Sequence, residues 1–159
     1  FKEYIMTEVF FRKEQVEEIS SKLNITKLSV EEIVFAYEDY LIKRLQLGMS
    51  VKFLNICFLK RTKADSTIET LAYTSTEISK EFNGRYSSEM ILRVLTTFQE
   101  VIESNLKKFN GFSIKGLVRI RLVEYGNGYK VRIKKSTTLN GEDVRVQTIG
   151  SFRRKVEFA

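Results

Sequence analysis

Apolar residues near the start of the chain fall at helical spacing. Val16, Ile19 and Leu23 recur every three or four positions and predict an amphipathic helix over Arg12 to Leu23. Ile33, Tyr37, Tyr40, Leu41 and Leu45 line one face of a second, longer helix. Ser29 is its expected cap, Glu32 completes a capping box, and Gly48 supplies the stop. The period then shortens to that of a strand. "SVKFLNICFLKRT" and "TIETLAYT" predict a short hairpin turning near Ala64, Asp65 and Ser66.

The same succession then starts again. "ISSKLN" from Ile19 returns as "ISKEFN" from Ile78, and a second long helix follows, capped by Ser87 or Ser88. Ile91, Val94, Leu95, Phe98, Val101 and Ile102 form its stripe, and Asn110-Gly111 is its expected end. Its β region is longer: "FSIKGLVRIRLVEY", a turn at Gly126-Asn127-Gly128, "YKVRIKK", a turn at Asn140-Gly141, then "DVRVQTI". Alternation places Lys130, Arg132 and Lys134 on one face of that third segment, opposite Val131 and Ile133. Helix pair followed by antiparallel sheet, twice over, predicts an α+β chain with a first unit over 12–74 and a second over 75–159. Residues 1–11, rich in aromatic and β-branched types, predict a further strand or an interface arm.

Composition narrows the function. An apolar fraction of 43% with 12 Phe and 7 Tyr supplies a core, and no run is long enough to span a membrane, so a soluble protein is expected. The one cysteine, Cys57, sits in an apolar strand and reads as a small core residue in a reducing compartment. With no His, neither a zinc site nor a Ser-His or Cys-His pair can be written. The carboxylates Glu17, Glu18, Glu31, Glu32, Glu38 and Asp39 read as solvated helix faces, and no Gly-rich phosphate loop is present. No enzyme and no cofactor are expected. The net charge of +7 divides unevenly: residues 1–79 hold 11 Lys and Arg against 12 Asp and Glu, residues 80–159 hold 16 against 8. A polyanion facing one end of the molecule is the physical reading.

The order of elements, "IKGLVRI" (Ile114 to Ile120), "TTLNGEDVRV" (Thr137 to Val146) and "IGSF" (Ile149 to Phe152) resemble the HU and integration host factor family of architectural DNA-binding proteins. The first copy, "FLNICFL", is further from the pattern, with Asn55 and Cys57 where the family usually has glycines. The resemblance implies two tandem family-like units and a β-ribbon arm in the second, with its tip at Thr138, Leu139, Asn140 and Gly141. It implies phosphate contacts from Lys130, Arg132, Lys134, Lys135 and Arg145 along the arm, and from Arg153, Arg154 and Lys155 on the body. The family's wedging proline has no counterpart, since the chain contains no Pro and Thr138 stands at that position.

Two expectations follow. One is a nucleoid-associated protein in the bacterial cytoplasm that binds duplex DNA without base preference through the arm. The other reuses the fold as a protein–protein building block, such as a ring or connector subunit of a phage virion, with neighbouring subunits as partners. Burial of Leu139 and Phe152 against neighbours distinguishes the second. No membrane partner is expected in either.

Overall fold

Helix pair and hairpin do occur twice. A computed structural model describes residues 9–61, 67–105, 111–114, 117–125, 128–136 and 143–150. The first succession is α1 (Arg12–Leu23), α2 (Lys27–Gln46), β2 (Val51–Phe53) and β3 (Cys57–Arg61). The second is α3 (Leu71–Glu81), α4 (Ser88–Ser104), β4 (Gly111–Ile114), β5 (Val118–Tyr125) and β6 (Gly128–Ser136). A short β1 (Val9–Phe10) precedes them and β7 (Val144–Thr148) follows.

The repeated sextets keep their roles. Ile19 and Ile78 are both wholly buried. Ser20 Oγ donates to the carbonyl of Ile25 and Ser79 Oγ to that of Tyr86, each tying its helix end to the following turn. Asn24 and Asn83 both take the left-handed conformation, at φ 57° and 55°, which a short polar side chain tolerates better than a bulky one. The capping positions differ from expectation. Thr26, not Ser29, caps α2, because its hydroxyl accepts from the Ser29 amide inside the first turn. Ser87 caps α4 through the Met90 amide. Gly48, at φ 88°, reverses the chain after α2 as expected, whereas α4 stops at Ser104, ahead of the expected Asn110-Gly111.

The hairpins also depart from the sequence reading. The first turns at Leu54–Ile56, within the apolar run, and "TIETLAYT" leads into α3 instead of forming a strand. The expected turn at 64–66 lies outside the described residues. Tertiary contacts hold the tighter turn. The Tyr37 hydroxyl of α2 donates to the Lys52 carbonyl and accepts from the Leu54 amide at 2.7 Å, while Gln99 of α4 accepts from the Asn55 amide. Those clamps hold Leu54 in the left-handed region at φ 53°, against an intrinsic cost of about 1–2 kcal/mol. Burial pushes the Tyr37 phenol well above its ordinary pKa, so it serves as a neutral hydrogen-bonding post. Tyr37→Phe strands a buried amide and carbonyl and is expected to cost about 1–3 kcal/mol in urea unfolding.

Two sheets result, ordered β1-β4-β5-β6 and β2-β3-β7. All pairings are antiparallel except β1 with β4. At the start of β4, Gly111 lies where an added Cβ would meet the Ile120 carbonyl at 2.6 Å, so the close strand approach requires glycine there. The expected long strand through Ile114 to Ile120 is two strands, with β5 folding back on β4. The expected ribbon of β6 and β7 is not a paired ribbon either. β6 pairs with β5, and β7 crosses to complete the first unit's sheet against β3. A division at residue 74 thus separates the helix pairs but not the sheets. β6 and β7 still run side by side, with the Val131 amide donating to Thr148 Oγ1 at 2.9 Å.

One core serves both sheets. Phe53 of β2 stacks on Phe112 of β4 at 5.3 Å and meets Phe98 of α4 edge-on at 5.8 Å, with the Tyr37 ring 6.0 Å away. Both predicted helical stripes are buried in it. Cys57 is fully buried, as its place in the strand implied, and burial raises its thiol pKa well above the ordinary range. Iodoacetamide at pH 8 is therefore expected to leave native Cys57 unmodified and to alkylate it only after denaturation.

Candidate nucleic-acid interface

Strand alternation sends every second residue away from the core, and here many of those outward positions are cationic. Along β5, Val118 and Ile120 are buried while Arg119 and Arg121 are exposed; along β6, Val131 is buried and Arg132 exposed. The ladder sets Arg121 directly opposite Arg132, Arg119 opposite Lys135, and Val123 opposite Lys130. Arg119 stands beside Ser113 of β4 on the same face. A register shift interrupts the β5–β6 ladder. Between the pairs Arg119–Lys135 and Ile120–Ile133, β6 carries an extra residue, Lys134, so that Lys134 and Lys135 together stand opposite Arg119.

The second sheet repeats the arrangement. Lys60 of β3 faces the exposed Arg145 of β7, and the neighbouring row runs Lys52, Phe58, Gln147. No carboxylate occupies a ladder position on either row; Asp143 lies one residue before β7. β6 and β7 lie side by side, joined where the Val131 amide donates to Thr148 Oγ1. Not every strand cation is available. Arg61 donates to the carbonyls of Leu45 and Gln46 and so completes the C-terminus of α2.

The structure therefore divides charge by layer more sharply than the sequence halves do. Among the described residues, helices α1 to α4 hold eight Lys and Arg against twelve Asp and Glu, whereas the strands hold ten against one. Helix cations are largely committed. Arg12 pairs with the buried Glu38, Arg44 with Glu69, and Lys43 with Asp39. At the α3–α4 turn Arg85 reaches Glu32, whose carboxyl is held below its usual pKa by the Tyr86 hydroxyl first and by Arg85.

Of the residues singled out from sequence, Lys130 and Arg132 share one outer face, and Arg145 lies on the neighbouring sheet. Thr138, Leu139, Asn140, Gly141, Arg153, Arg154 and Lys155 fall outside the described residues. Sequence reasoning missed Arg119, Arg121 and Lys60. The signal was present for the first two, since "VRIR" alternates as cleanly as "YKVRIKK" does. Among the described residues, no group of three or more Cys, Asp and Glu converges as a metal would require, and no helix is long and apolar enough to cross a membrane. Neither a family model, nor a curated protein, nor a solved structure matches the chain.

Proposed function

We propose that the protein is a single-chain relative of the HU and integration host factor proteins that binds duplex DNA without base preference, through the outer faces of its sheets. The observation that carries this reading is cation set opposite cation: Arg121 with Arg132, Arg119 with Lys135, Lys60 with Arg145. Like charges directly across a ladder are destabilising, and a polyanion laid over them removes the penalty. The negative helix layer argues against a recognition helix in the major groove. It also orients the molecule, sheets first, in the field of a polyanion. The twofold order of helix pair and hairpin supports the family resemblance.

The test is fluorescence anisotropy of a labelled random-sequence duplex across a salt series. Six engaged cations give a slope of log affinity against log salt of about −5.4. No binding at low salt, or a flat salt response, overturns the proposal. A second reading, as a subunit of a larger particle, is favoured by Leu28 and Phe35, which are 64% and 55% exposed and sit two turns apart on α2. A discrete oligomer in light scattering, without DNA affinity, would establish that reading in its place.

A further inference from the structure

The β2-β3-β7 face carries an aromatic ring at its centre. Phe58 points away from the core on the middle strand, half-buried, between Lys52 on β2 and Gln147 on β7. Lys60 lies in the next row of its own strand, with Nζ 5.9 Å from the Phe58 ring centroid and 3.0 Å from Gln147 Oε1, and Arg145 stands opposite it. Lys52 Nζ donates to Asn55 Oδ1 at the turn. The ring is thus framed by three cations and two amide side chains, with no carboxylate in the rows. A duplex cannot use such a ring, because its base faces are stacked inside the helix. An unpaired base can, since every base has a π-face and its phosphates would meet the surrounding cations.

We infer that the β2-β3-β7 face is a seat for single-stranded nucleic acid, in which Phe58 stacks on one base while Lys52, Lys60 and Arg145 hold the flanking phosphates. Gln147 and Asn55 offer hydrogen bonds to the base edge. The inference rests on the cationic-surface reading in that both need a polyanion, and it adds an unpaired strand to the duplex as a substrate of this face.

The test uses the full chain, a short oligo-dT strand and a random-sequence duplex as separate labelled probes, with melting temperature followed for each variant. Phe58→Ala is expected to weaken oligo-dT binding by about 5- to 150-fold, the effect of removing one stacking ring, and to leave duplex affinity within about twofold. Phe58→Leu, which keeps apolar cover over the sheet, should show the same selective loss should the alanine variant be unstable. Phe58→Trp supplies a direct readout. The chain has no other Trp, so stacking of a thymine on the new indole appears as quenching of the only indole emission. Equal loss for both probes, no loss for either, or an unquenched indole under saturating oligo-dT overturns the inference. Phe58-dependent oligo-dT binding without duplex binding would sustain it while sinking the duplex proposal.

Discussion

Replacing Arg119, Arg121 and Arg132 together with glutamine is expected to weaken duplex binding by two to three orders of magnitude at about 0.1 M salt. Each phosphate contact contributes about 0.9 to the slope of log affinity against log salt, so three lost contacts flatten the slope by about 2.7. At a tenfold dilution from 1 M, that difference is a factor of about 500. The three residues are exposed, and Arg121 and Arg132 repel one another across the ladder. The triple variant should therefore be as stable as the parent, or more stable by up to about 1 kcal/mol. Anisotropy across a salt series, with urea unfolding in parallel, reads both quantities. An unchanged slope would remove this face from the interface. A fall in stability with the fall in affinity would mean that the arginines hold the sheet together.

Phe53→Ala should be the most damaging single change among the ring contacts of the core, at about 3–5 kcal/mol. Phe53 is wholly buried, and its ring touches α2 through Tyr37, α4 through Phe98 and the other sheet through Phe112. Truncation opens a cavity where both sheets and both long helices meet. Neighbouring elements cannot collapse into it without moving one another, so little of the lost contact energy is recovered. A whole-domain stability of only about 5–15 kcal/mol makes such a loss large. Urea unfolding monitored by circular dichroism should show a lower midpoint and a single transition, because both sheets share this core. Two separated transitions would show that the sheets belong to independently stable units.

Much of the helical architecture was legible because helical period is local. Arg12 to Leu23, the two buried stripes and Ser87 as a cap follow from residues within a few positions of one another. One turn of helix was enough to mislead at Ser29. Thr26 and Ser29 are both good caps three residues apart, and the structure uses Thr26. The site was partly legible for the same reason. Alternation assigns Lys130 and Arg132 to the outer face, and applied to "VRIR" it also finds Arg119 and Arg121.

By itself the sequence determined the long helices and their buried stripes, the order of helix pair and strands, the buried identity of Cys57 and the outward place of Lys130 and Arg132. All of these depend on spacing along the chain, which the backbone periods of helix and strand convert directly into faces. Only the tertiary structure decided which strand lies beside which. Alternation says which face a residue occupies but not what its strand pairs with, and the crossing of β7 to β3 joins residues far apart in sequence. The turn at Leu54–Ile56 needed Tyr37 and Gln99 from two helices to hold it. The seat around Phe58 needed β2, β3 and β7 together, and the separation of a negative helix layer from positive sheets crosses both repeats. Long-range pairing is set by the packing of one shared core, and no local window of sequence contains that core.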